Sequence, residues 1–134
     1  AFDFDTLHVP ADRDKLRFEQ RDGKLRNLLD RSVPTLAASA VEHLWAHRGP
    51  RPVARVVAHP GGRDVLAALA PALAPHSLDV STRILRDYGN MSSPSVLFVL
   101  AETLRTTPPT GTDGDFWLVS FGAGFSAHSC RLGL

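Results

Sequence analysis

The stretch Val53-Ala54-Arg55-Val56-Val57-Ala58, held between Pro52 and Pro60, constrains the fold more than any other part of the chain. It is short and rich in β-branched residues, which suits a buried strand. Its C-terminal end delivers His59. Pro60-Gly61-Gly62 then turns the backbone, and Val65, Leu66, Leu69 and Leu73 follow at helical spacing up to Pro75. A buried strand running into a helix implies a sheet with helices packed on it, and in open α/β sheets the C-terminal end of a strand is where ligands sit.

The rest of the pattern extends this α/β reading. Phe2-Asp3-Phe4-Asp5 alternates as a strand does, and Leu25 to Leu29 reads as another short one. Ser32 before Pro34 is expected to start a helix with a capping hydroxyl, and Val33, Leu36, Ala37, Ala40, Val41, Leu44 and Trp45 continue it as an apolar stripe up to Gly49-Pro50. Ser81 to Tyr88 reads as a short helix broken by Gly89-Asn90. Ser93-Pro94 opens the next, whose Val96, Leu97, Leu100 and Leu104 predict burial on most sides. The cluster from Thr106 to Gly114 predicts a loop. Phe116 to Phe121 and Phe125 to Leu132 predict a terminal antiparallel pair joined at Gly122-Ala123-Gly124, where glycine permits positive φ or close approach to a ligand.

Composition removes several classes of function. The 134 residues amount to one domain at most, and 15 Lys+Arg against 14 Asp+Glu leave a net charge of +1 with interleaved signs, so neither a nucleic acid nor an anionic membrane is an expected partner. No apolar run reaches the roughly 18–20 residues of a membrane span, and the first residues do not have the form of a signal peptide. Cys130 is the single cysteine, which excludes an intrachain disulfide and leaves no metal-ligand cluster. A reducing, cytoplasmic setting is the expectation. The chain opens without Met at a segment that already reads as structured, so it is expected to be a piece of something longer.

Two constellations carry chemistry. In His59-Pro60-Gly61-Gly62 an imidazole is followed by residues with little or no side chain, so an extended ligand can lie along Gly61 and Gly62; a satisfied buried histidine in a tight turn is the plainer alternative. In Gly89-Asn90-Met91-Ser92-Ser93 the amide of Asn90 offers two N–H donors that do not titrate, which suits a developing oxyanion, although Asn and Ser are equally at home as helix caps. Together they suit the holding of a thioester enolate. His43 and His47 have the i, i+4 spacing of a zinc-protease helix, but Leu44 stands where its general-base Glu belongs, so a solvated face is expected. His8, His76 and His128 carry no partner signature. Arg51, Arg55 and Arg63 near the turn are candidates for the phosphates of a ligand, which under the family resemblance given next would be CoA, with scattered surface positions the simpler reading. Cys130 lies inside the last strand and reads as a small buried hydrophobe.

Ala58-His59-Pro60-Gly61-Gly62, Ser81 to Ser93, Val96-Leu97-Phe98-Val99-Leu100 and Phe121-Gly122-Ala123-Gly124 resemble, in order and spacing, the C-terminal half of type III polyketide synthases, the chalcone and stilbene synthase family. The resemblance covers nearly all of residues 1–134. It implies the C-terminal half of a thiolase-like fold, a mixed sheet with packed helices, and a Cys-His-Asn centre that condenses an acyl-CoA starter with malonyl-CoA. His59 and Asn90 match the catalytic His and Asn; Gly61, Gly62, Ser92, Gly122 and Gly124 fall at substrate-facing positions. The nucleophilic Cys belongs to the N-terminal half of such an enzyme, a homodimer when complete, so this chain alone is expected to be inactive. CoA thioesters are its substrates, and neither a cofactor nor a metal is implied. Three positions depart from the family: Ala123 replaces a Pro, His128 replaces a common acidic residue, and Asn27 falls where plant members gate the pocket with Phe. The rival readings are a half-domain that binds an acyl-CoA or a partner without reacting, and a different Claisen-type acyltransferase on the same fold.

Overall fold

The computed structural model describes residues 1–106 and 114–133. Its elements are β1 (Phe2–His8), β2 (Leu16–Arg21), β3 (Lys24–Leu29), α1 (Val33–Ala46), β4 (Val53–Ala58), α2 (Arg63–Leu73), α3 (Asp79–Tyr88), α4 (Pro94–Thr106), β5 (Asp115–Gly122) and β6 (Ser126–Leu132). The α/β class and the mixed sheet agree with the sequence. Strand β2, absent from that reading, pairs with β3 in a separate hairpin; most of the loop expected over residues 106–114 lies outside the described residues.

The main sheet has the order β1-β6-β5-β4, with β4 and β5 parallel and the other neighbours antiparallel. A parallel neighbour requires a crossover, and α2, α3 and α4 supply it between β4 and β5. Helices α1 and α2 cover one face through Val33, Ala37, Val41, Leu44, Leu66, Leu69 and Leu73, packed on Trp117, Val119, Phe125 and Ala127. Trp45 sets its ring edge-on to Trp117 at 5.0 Å on this side. Helices α3 and α4 close the other face over Val57 and Phe116, with Ile84 and Val99 between them.

Three local expectations are corrected. Ser32 makes no capping hydrogen bond to α1; it is itself helical, and its hydroxyl donates to Asp30 Oδ1 at 2.6 Å. In α4 the fully buried stripe is Ser95, Val99 and Thr103, while Leu97 and Phe98 are 61% and 43% exposed. Small side chains at i, i+4, i+8 let the helix approach the sheet closely, and the two hydroxyls are satisfied locally: Ser95 Oγ accepts the Met91 N–H and Thr103 donates to the Val99 carbonyl. Cys130 is half-buried rather than buried.

One end of the sheet is tied by a buried charge. Arg131 is 1% exposed; its guanidinium pairs with Asp115 at 3.0 Å and donates to the carbonyls of Arg48 and Arg51, each at 2.9 Å. Arg51, considered for CoA phosphates, is held on the same carboxylate at 3.0 Å. This knot fixes the loop that leads from α1 into β4.

Candidate active site

Strand β4 is buried at Val56, Val57 and Ala58 and continues into His59, whose N–H donates to the Val119 carbonyl of β5 at 2.8 Å. The last ladder bond thus sets the position of His59. Its ring stands edge-on to Phe121 with centroids 5.3 Å apart, and no group among the described residues hydrogen-bonds the ring nitrogens. Burial pushes its pKa below the ordinary value, because the charged imidazolium loses solvent there. His59 is therefore a neutral imidazole near pH 7, with an N–H donor and a lone pair to offer.

The Pro60-Gly61-Gly62 turn has a packing cause that the sequence does not show. Gly61 has φ +32°, and a Cβ built there would lie 2.6 Å from Cζ of Phe121, so glycine is required by the ring next to His59. Gly62 needs no such explanation: nothing lies within 4 Å of a Cβ there. From the other side α3 and the turn that follows it each fasten the same segment at one point. The buried Ser81 hydroxyl donates to the Ala58 carbonyl at 2.8 Å, and Asn90 Nδ2 donates to the Gly61 carbonyl at 2.7 Å. The Ser92 N–H donates to Asn90 Oδ1 at 2.9 Å, so both ends of the amide are held and its orientation is unambiguous. One N–H of Asn90 remains for a ligand. Ser92 adopts φ +62° to close this turn.

His59, Asn90, Gly61, Gly62, Ser92 and Gly122 all line one cavity of about 720 Å³, within the usual range of small-molecule sites. Gly124, expected to join them, is not among its lining residues; its φ of +115° serves the β5–β6 turn. The β2–β3 hairpin contributes Leu16, Phe18, Asn27 and Leu29 to the opposite wall, so the strand missed in the sequence builds part of the site. Of the arginines considered for phosphates only Arg63 reaches the cavity, and it lies against Asp64 at 3.3 Å. His43 and His47 are exposed and stack on each other on the outside of α1, as a solvated face would. Burial raises the Cys130 thiol, which keeps it protonated and unreactive, and it does not line the cavity. Ser126 and His128 do, and the sequence alone offered no sign of that.

No group of three or more His, Cys, Asp or Glu among the described residues is arranged to hold a metal ion, and no helix is long and apolar enough to cross a membrane. What the cavity presents is a neutral imidazole and an oriented amide, a pair of uncharged donors suited to an oxygen that gains negative charge.

Solved structures share this arrangement of elements. The bacterial type III polyketide synthase 1,3,6,8-tetrahydroxynaphthalene synthase of Streptomyces coelicolor is 25% identical with a TM-score of 0.80, over 98% of this chain and 39% of that one. PKS-I of the brown alga Ectocarpus siliculosus is 23% identical at a TM-score of 0.80, over 96% and 38%. The C-terminal type III polyketide synthase domain of Steely1 from Dictyostelium is 19% identical at 0.82, over 97% and 39%. The chain therefore spans about two-fifths of the length of these relatives. The family model for chalcone and stilbene synthases, C-terminal domain, matches residues 9–131, and the chain belongs to that family as its C-terminal domain.

Proposed function

We propose that this domain supplies the His and Asn of a Cys-His-Asn centre in a type III polyketide synthase, in which an acyl-CoA starter is condensed with malonyl-CoA by decarboxylative Claisen chemistry. The nucleophilic Cys comes from an N-terminal half that the 134 residues do not include, and the complete enzyme is a homodimer. CoA thioesters are the substrates and no further cofactor takes part. A thiol nucleophile and CoA substrates favour a cytoplasmic setting.

In this reading the neutral His59 takes the proton of the Cys thiol, the thiolate attacks the carbonyl of the starter thioester, and CoA leaves as its thiol with the proton that His59 returns, so the imidazole is neutral again before malonyl-CoA binds. Malonyl-CoA then enters with its thioester oxygen between His59 and Asn90. As the carboxylate leaves as CO₂, the bonding pair moves onto that oxygen, and the His59 N–H and the free Asn90 N–H hold the enolate at about 2.7–3.1 Å. The enolate carbon attacks the acyl-Cys carbonyl and the thiolate departs, which lengthens the chain by two carbons. No base is needed to form the enolate, so a neutral imidazole and an amide suffice.

The observation that supports this most is the amide of Asn90, fixed at both ends with one N–H left over in the cavity that His59 also lines. In the full-length protein Asn90→Ala is expected to lower malonyl-CoA decarboxylation about 10²–10³-fold, while the cysteine still becomes acylated by the starter. Measuring CO₂ release and acyl transfer in parallel tests this. Unchanged decarboxylation would make Asn90 a helix-start residue only and would favour the non-catalytic half-domain.

A further inference from the structure

The cavity holds a second imidazole, His128, which the condensation steps leave unused. On β5 and β6, Ser120 stands opposite His128 and Gly122 opposite Ser126; on β1, Thr6 stands opposite His128 from the other side. Side chains alternate faces along a strand, so this register puts all five positions on one face of the sheet. Four of them, Ser120, Gly122, Ser126 and His128, line the cavity. The His128 ring is held at both nitrogens, Nδ1 lying 3.0 Å from Thr6 Oγ1 and Nε2 3.1 Å from Ser126 Oγ. A Cβ at Gly122 would meet nothing within 4 Å, so glycine leaves the strip beside Ser126 uncovered.

The chemistry of the strip selects its ligand. Among the described residues the charged side chains on the cavity wall are Arg63 and Asp64, neighbours 3.3 Å apart and both largely exposed, so no buried charge there awaits a phosphate or carboxylate. With the proton on Nε2, the Thr6 hydroxyl donates to Nδ1, Nε2–H donates to Ser126 Oγ, and the Ser126 proton is free to point at a ligand. Hydrogen bonds running in one direction polarise each other, which makes Ser126 a better donor than a lone serine. An uncharged acceptor oxygen fits such a site.

We propose that Ser126, backed by His128 and Thr6 and flanked by Ser120, binds the keto or enol oxygens of a β-ketoacyl chain and so distinguishes an extended intermediate from a plain acyl chain. This rests on the acyl-thioester reading of His59 and Asn90. Ser126 and Ser120 act on the substrate; His128 and Thr6 position Ser126.

The test compares acetoacetyl-CoA with butyryl-CoA, which has the same carbon count without the keto oxygen, as starters for the full-length protein with malonyl-CoA. The readout is the ratio of their kcat/KM values, which general damage to the enzyme does not move. The parent is expected to favour acetoacetyl-CoA. Ser126→Ala and His128→Phe are each expected to lower the ratio about three- to ten-fold, the worth of one hydrogen bond, and Ser126→Thr, which keeps the hydroxyl, is expected to retain it. A parent without preference, or a ratio unmoved in both Ser126→Ala and His128→Phe, overturns the proposal and leaves the condensing centre standing. A parent that turns over neither thioester overturns both.

Discussion

His59 is pressed by burial below its ordinary pKa of about 6.5, and the direction of that shift decides how the chain responds to acid. The unfolded chain regains the ordinary value, so between the two values it binds more protons than the folded one, and stability rises with pH across that window. The contribution of neutral His59 is present above about pH 6.5 and is lost as the pH falls through the folded value; His76, lowered by burial and by Arg48 and Arg55, acts in the same sense. Urea midpoints measured from about pH 7.5 down to about pH 5 should therefore fall, and His59→Gln should make the fall shallower. Equal slopes would show that His59 is not desolvated. The neighbouring Gly61 gives a second prediction. Its positive φ and the Phe121 ring together make Gly61→Ala expensive, about 1–3 kcal/mol by chemical denaturation, and Phe121→Leu in the same chain should recover part of it.

Among the elements, β5 and β6 depend on a charge that hydrophobic reasoning does not anticipate. Arg131 and Asp115 are nearly inaccessible; without Asp115 the buried guanidinium keeps only neutral carbonyls and the exposed Asp3 carboxylate at 3.7 Å, a loss of about 3–5 kcal/mol, whereas without Arg131 the carboxylate still has Arg51 at 3.0 Å. Asp115→Ala should show a loss of that size in urea, whereas Asp115→Leu combined with Arg131→Met should lose less than Asp115→Leu alone. Strand β4 with its His59 terminus was legible because β-branched residues, two prolines and paired glycines all agree locally. Helix α4 was placed correctly, but its apolar content pointed to burial on most sides, Leu97 included, whereas close packing on the sheet selects the smaller Ser95, Val99 and Thr103 and leaves Leu97 exposed. Strand β2 was missed because its apolar alternation is only two residues long, Leu16 and Phe18, before Glu19, Gln20 and Arg21, and its pairing with β3 rather than with the main sheet leaves Leu16 as its one buried residue. His128 could not be assigned from sequence, since its partner Thr6 is 122 positions away and meets it only through the β1–β6 register.

Across the whole molecule, the cavity is enclosed by two bodies of unlike construction. His59, Ser120 and Phe121 stand on the four-stranded sheet, closed by helices on both faces, while Phe18, Asn27 and Leu29 stand on a two-stranded hairpin that exposes Phe18 by 51%, Leu25 by 72% and Leu29 by 61%. A two-stranded sheet with little burial opens at low free energy, whereas the central strands open only with the fold. Backbone amides of residues 16–29 are therefore expected to exchange with deuterium far faster than those of β4 and β5, and comparable protection in the two would contradict this division. The division sets what the site can measure. Atoms that must meet His59 and Asn90 are gauged against a rigid frame, as a vice grips against its fixed jaw; the bulk of whatever lies behind them is gauged against a jaw on a spring. In the proposed condensation, chemistry at the reacting carbon is then held to narrow tolerance, while the size of the molecule that reaches it is graded by the hairpin.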